Sequence, residues 1–260
     1  MMDSSPASQP VRKPRFRSEL ADFWRFVRHP HPVRRLPGRT AAIGWVSDWW
    51  PGVSPGRILA WAGVLWLINL FALGPLAVAA AGAGGVTHRL DPANIPWLTA
   101  IIWAPLVEEM LFRYGLRRPK QALWFCPALL PVVLYGPRIW TGLLLAAFVL
   151  LVCWSLRLRP EPLKGWNTAW RRHYLKHFGW VFHLVALTFA AVHLTNFIFK
   201  DTPFWLLPLL VLPQWVTGLV LGWIRVRRGI GAAIALHATF NAGPILLIWA
   251  VMRWLPAAAQ

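Results

Sequence analysis

The stretch that decides the fold is ILAWAGVLWLINLFALGPLAVAAAGAG, residues 58–84, which carries no charged side chain along its whole length. About 20 consecutive apolar residues in a helix cross the hydrocarbon core of a bilayer, so an unbroken run of this length reads as a transmembrane helix. Outward from it, further apolar runs lie at about 96–114, 121–136, 139–156, 178–197, 205–224 and 230–253. Inside a bilayer only helices and closed barrels satisfy their own backbone groups. The expectation is therefore an all-α, polytopic transmembrane helix bundle of about seven spans, with six and eight as neighbouring counts. The run at 121–136 is short and holds Pro127 and Pro131, so a broken or re-entrant helix is the alternative there.

Composition excludes a water-soluble domain. The 260 residues are 57% hydrophobic and only 14% charged, against about 25% charged in soluble proteins. The 27 Lys and Arg against 9 Asp and Glu give a formal charge of +18. Such an excess would point to nucleic acid in a soluble chain. Here the cations form short clusters between apolar runs, with no recognition helix or RNA-binding signature, so nucleic acid is not an expected partner. They report orientation instead. With the N-terminus in the cytoplasm, that side collects 22 of the 27 and the opposite side 4, Arg113 lying within a helix. This places the N-terminus inside, with anionic membrane lipids as partners.

Residues 1–56 hold no apolar run long enough for a signal-peptide core and are expected to form a retained basic cytoplasmic tail. In it, Leu20, Phe23, Trp24 and Val27 recur at helical spacing behind Ser18 as N-cap, which reads as a short amphipathic helix lying on an anionic membrane surface. A Pro-rich spacer from His29 to Arg39 leads to the transmembrane domain, residues 57–260. Cys126 and Cys153 fall inside apolar runs and read as packing residues.

Seven of the nine acids (Asp3, Glu19, Asp22, Asp48, Asp91, Glu161 and Asp201) lie in the tail or in loops, leaving Glu108 and Glu109 as the carboxylates within an apolar run. A charge at mid-membrane costs about 2.5–3.5 kcal/mol on insertion scales, so such a pair marks a functional site unless it is paired off. Arg113 stands four residues after Glu109 on the same helical face, whereas Glu108 points elsewhere. That phase makes Glu109 the structural partner of Arg113 and leaves Glu108 to face a polar cavity as a base. A purely structural polar clamp among the three is the alternative. His237 and Asn241 share a face four residues apart, and Phe189 stands one turn before His193. His183 has no such partner and reads as an interfacial packing residue.

These residues together resemble the CAAX-protease and bacteriocin-processing family (CPBP, also called Abi) of intramembrane endopeptidases, which includes the type II CAAX prenyl proteases. Glu108-Glu109-Met-Leu-Phe-Arg113 matches its EExxxR motif, Phe189-Ala-Ala-Val-His193 its FxxxH, and His237-Ala-Thr-Phe-Asn241 its HxxxN, in order, across about 96–245. The resemblance implies an intramembrane glutamic endopeptidase that cleaves a membrane-associated peptide or protein. Glu108 and His193 would activate water, His237 and Asn241 would stabilise the oxyanion, and Glu109, Arg113 and Phe189 would hold the site. No cofactor is required in that reading, while Glu108, His193 and His237 also make a His₂Glu set suited to zinc. A non-enzymatic immunity or transport protein with an intramembrane Glu/His relay is the reading outside the enzyme class. The Arg- and Ala-rich composition, 22 Arg against 5 Lys, points to a bacterial cytoplasmic membrane. Two departures stand out. The interval from Glu108 to His193 is longer than usual for the family, and His193 comes out about 22 Å from its predicted cytoplasmic end against about 9–10 Å for Glu108 and His237.

Overall fold

The computed structural model describes residues 14–36, 48–50, 52–91, 94–158 and 168–254. Apart from a two-residue antiparallel pair, β1 (Thr87–His88) with β2 (Phe197–Ile198), its regular elements are helices. Helix α1 spans Phe16–Arg28. The long α2, Pro55–Ala83, starts with proline in its first turn, where a missing N–H is harmless. A π turn at Asn69–Leu73 precedes Gly74-Pro75. Pro75 has no N–H for the ladder and its ring crowds the carbonyl one turn back, and the extra residue of a π turn absorbs that conflict. Gly74 is required at this bend, since a Cβ there would stand 2.5 Å from the Asn69 carbonyl oxygen.

Helix α3 follows the same device with a functional outcome. It joins π-helical Thr99–Trp103, α-helical Ala104–Glu108 and π-helical Glu109–Arg113, and closes in a 3₁₀ turn at Tyr114–Leu116. Pro105 accounts for the first π turn. No proline accounts for the second, which holds Glu109 and Arg113, and π turns of that kind concentrate at functional sites. Next come α4 (Pro119–Ala128) and α5 (Leu130–Tyr135), the broken helix expected from Pro127 and Pro131. Gly136, with φ 65°, then turns the chain into α6 (Ile139–Leu158). Helix α7 (Thr168–Val192) ends in a 3₁₀ turn at His193–Asn196. The short α8 (Leu207–Leu210), α9 (Leu212–Arg227) and α10 (Ile230–Trp254) complete the bundle.

Among the described residues three helices are long and apolar enough to cross a membrane: α2, Thr168–Asn196 and α10. The pair Phe204–Leu210 and α9, bent by 47°, makes a fourth. The sequence offered seven apolar runs. The remaining three differ for physical reasons: α3 carries three ionisable side chains, α4 and α5 are broken by proline, and the apolar part of α6, Ile139–Ser155, is short. The outer surface is apolar in a way that water does not tolerate, with Phe71 and Val78 each 72% exposed and Leu134 77%. The chain is a multi-pass membrane protein by this criterion.

Helices α7 and α9 pack closely because α9 presents Gly218 and Gly222 to them. A Cβ on Gly222 would stand 2.8 Å from the Phe182 ring, and one on Gly218 3.2 Å from Phe189. This small-xxx-small spacing is how membrane helices approach without a hydrophobic driving force.

Helix α1 departs from its expected place. Leu20, Phe23 and Val27 of its apolar stripe pack on the bundle, while Trp24 stays exposed. Phe26 is buried against Phe182, and Phe23 stands edge-on to Trp61 and Trp223. The acids that looked like tail residues explain the docking. Glu19 is buried, accepts from the Trp61 indole at 3.1 Å and pairs with Arg228. Asp22 accepts from Trp223 at 2.9 Å and from both sides of the Arg227 guanidinium at 2.8 Å. The same end of the bundle holds Arg117, which donates to the carbonyls of Val33 and Val226.

Candidate active site

Three stretches that are distant in sequence bring their polar side chains together: α3, the end of α7 and the middle of α10. Glu109 is fully buried, and its Oε1 accepts from Arg113 Nη1 at 2.5 Å, the i,i+4 pair expected. The same oxygen also receives His237 Nδ1 at 2.9 Å. Glu109 is thus more than the partner of Arg113, since it fixes the imidazole of α10. A carboxylate only accepts, so Nδ1 carries the proton and Nε2 of His237 faces the other way. There it meets Glu108, whose Oε2 lies 3.8 Å from Nε2. The two adjacent carboxylates therefore address opposite edges of one ring, an arrangement reached within the widened π turn. Glu109 is completely shielded, while the Glu108 side chain keeps 28% of its exposure. Oε2 of each glutamate is buried without a protein donor, and what separates the two is that Glu109 has its Oε1 engaged by Arg113 and His237.

His193 closes the third side. Its Nδ1 donates to the Phe189 carbonyl at 2.7 Å, which again leaves Nε2 free to accept. It lies within Coulombic range of Glu108, His237 and Arg113. Phe189 is the hub beneath them, with ring centroids 4.6 Å from His193 and 5.9 Å from His237. The Arg113 guanidinium rests 3.8 Å above the Phe189 ring, a cation–π contact that takes up charge its Nε and Nη2 do not pass to a hydrogen-bond acceptor. Asn241, one turn after His237, donates one N–H to the Ala100 carbonyl at 2.8 Å in the first π turn of α3 and retains a second.

The offset expected in depth does not keep the motifs apart: Phe189, one turn before His193, reaches Arg113 and His237 directly. Depth counted along each helix from its apolar boundary assumes parallel helices. Tyr174, in the second turn of α7, donates to the Leu116 carbonyl at 3.1 Å. From Tyr174 to Phe189 α7 therefore advances about 22 Å while its contacts on α3 move only from Leu116 to Arg113. The two helices are far from parallel, and the long Tyr and Arg side chains close the remaining distance.

Among the described residues no three His, Cys, Asp or Glu side chains form a group placed to hold a metal ion. His183 packs edge-on against Phe182. Both cysteines are free, and Cys126 donates weakly to the Leu111 carbonyl at 3.2 Å.

Sequence reading missed the support behind α3. Arg225, counted among the loop cations, is fully buried and donates to the carbonyls of Arg113 at 3.1 Å and Tyr114 at 3.2 Å. Its charge is met by Asp48, also fully buried, at 2.5 Å. Nothing in local spacing announces a pair 177 residues apart.

A family model described as type II CAAX prenyl endopeptidase, Rce1-like, matches residues 92–243, over half of the chain, and spans all three motifs. No curated protein and no solved structure matches.

Proposed function

The chain belongs to the Rce1-like family of type II CAAX prenyl endopeptidases, and on that premise we propose that it hydrolyses a peptide bond of a membrane-associated peptide or protein with a water activated by Glu108. One observation carries the reading: Glu108 and Glu109 meet opposite edges of His237, and only the shielded one, Glu109, is engaged by protein donors, through Oε1.

The roles follow from which atoms remain available. Glu108 takes a proton from water, with His193 Nε2 accepting from the same water, and the hydroxide adds to the scissile carbonyl carbon. The oxyanion is held by the second N–H of Asn241 and by His237 when Nε2 is protonated, its Nδ1–H staying on Glu109. Glu108 then delivers its proton to the amide nitrogen, the C–N bond breaks, and the carboxylic acid formed passes its remaining proton to the amine, so that a carboxylate and an ammonium group leave. Glu109, Arg113 and Phe189 keep these groups in register, and no metal takes part in any step. The N-terminus faces the cytoplasm of a bacterial cytoplasmic membrane in this reading, because α1 and the arginines around it gather at one end of the bundle.

Purified protein in liposomes is to be incubated with a fluorescent prenylated CAAX peptide and, separately, with bacterial membrane-peptide extracts, with product formation read by mass spectrometry. Cleavage is expected to fall by at least about 10³-fold in Glu108→Gln, in line with loss of an acid–base group that also activates the nucleophile. It is expected to survive exhaustive chelation. Full activity of a folded Glu108→Gln protein would sink the assignment of the base, and loss on chelation that added zinc restores would replace it with the metal mechanism.

A further inference from the structure

Helix α3 ends at Leu116, about two turns after its two carboxylates, and its end is held from outside. The last carbonyls of a helix have no intrahelical donor and need another partner. At α3 the Tyr114 carbonyl accepts from the backbone N–H groups of Arg117 and Arg118, and Arg225, from a helix far along the chain, adds Nε to the Arg113 carbonyl and Nη2 to that of Tyr114. Arg225 is at 0% exposure, and its guanidinium also lies 5.3 Å from the Tyr114 ring. A buried cation of this kind holds its place only while its charge is met. Asp48 meets it, with Oδ1 2.5 Å from Arg225 Nη1, and accepts from Arg35 at the same oxygen. Asp48 lies ahead of the first long helix and outside the family-matched region 92–243.

We infer that Asp48 and Arg225 are positioning residues for the reaction: Asp48 holds Arg225, Arg225 fixes the end of α3, and the end of α3 sets where Glu108 and Glu109 stand against His237. Asp48, ahead of the first long helix, is then a working part of the site. The geometry favours this over a general fold anchor, because both Arg225 contacts fall on consecutive carbonyls beginning at Arg113, the residue already bound to Glu109. Displacing those carbonyls moves the Glu109–His237 contact, and the same π turn carries Glu108 at its N-terminal edge. The inference rests on the proposed chemistry for its catalytic consequence, but the mechanical coupling is measurable without it.

The full-length protein in detergent provides the test, in wild type, Asp48→Asn, Asp48→Glu and the apolar pair Asp48→Leu with Arg225→Met. The apolar pair removes both buried charges together and so separates positioning from folding. Amide hydrogen exchange over residues 104–118 is expected to rise at least about tenfold in Asp48→Asn and in the apolar pair, with Asp48→Glu close to wild type. With the prenylated CAAX peptide as probe, kcat is expected to fall at least about tenfold in the same two proteins with KM within about twofold, the split expected when only the transition-state arrangement is lost. Exchange over 104–118 that stays at the wild-type rate in the folded apolar pair overturns the coupling. Increased exchange with unchanged kcat overturns the catalytic consequence. If the wild type cleaves no peptide, or Glu108→Gln cleaves normally, the protease reading fails on its own, and the exchange data still decide the coupling.

Discussion

Two neighbouring glutamates with nearly the same backbone environment differ in what they can do because of what surrounds each carboxylate. Glu109 is completely shielded and holds both Arg113 and His237, whereas Glu108 is partly open and lies 3.8 Å from the same imidazole. Removing a charge from a buried pair strands the other, at a cost of about 3–5 kcal/mol. Glu109→Ala is therefore expected to lower stability by about that amount as well as activity, since Arg113 already has Nε and Nη2 without a hydrogen-bond acceptor. Glu108→Ala strands no partner and is expected to change stability by under about 1 kcal/mol while abolishing cleavage. Thermal unfolding in detergent, followed by size-exclusion chromatography, distinguishes the two. Equal shifts in midpoint would contradict the division of roles.

At the scale of elements, the helical character and the broken segment at Pro127 and Pro131 were legible in the sequence, because hydrophobic run length and proline placement act locally. The pairing of Glu109 with Arg113 was legible for the same reason. The contact of Glu109 with His237 was not, since it depends on a π turn that no proline announces and on a helix 128 residues away. The docking of α1 was misread because its apolar stripe suits lipid and protein equally. What decides between them is Glu19 and Asp22 finding Arg228, Arg227 and two indoles on the bundle. The close approach of α7 and α9 had a visible signal in Gly218 and Gly222, five positions that read GLVLG. Gly222→Val is expected to force α9 off Phe182, which is 1% exposed with no room to turn, at about 1–3 kcal/mol. Because Phe189 lies about two turns further along α7 and packs on Gly218 of α9, the same variant is expected to weaken the seat of His193. Thermal unfolding together with kcat measures both, and a Gly222→Val protein as stable as wild type would refute the packing argument.

Across the whole molecule, the membrane-embedded site and the polar end of the bundle are joined through Arg225, and Asp48 makes that link sensitive to acid. Burial alone would raise the Asp48 carboxyl, but Arg225 and Arg35 outweigh it and hold it at about 2. In the unfolded chain a carboxyl titrates near about 4, so the unfolded state takes up the proton first as pH falls. The stability that Asp48 supplies is thus complete above the ordinary carboxylate range and drains away as pH falls from there toward about 2. Wild-type protein is expected to lose thermal stability over that interval and to show rising amide exchange across residues 104–118. Asp48→Asn, which has no proton to gain, is expected to begin at the lower stability and to lack this part of the slope. Measuring unfolding midpoints from pH 7 to pH 3 for both proteins isolates the contribution, because every other acidic group is common to the two. Parallel curves would show that acid acts elsewhere and that Asp48 does not carry the link. Curves that converge as pH falls would mean that a single carboxylate, outside the three motif-bearing helices, governs how firmly α3 is held.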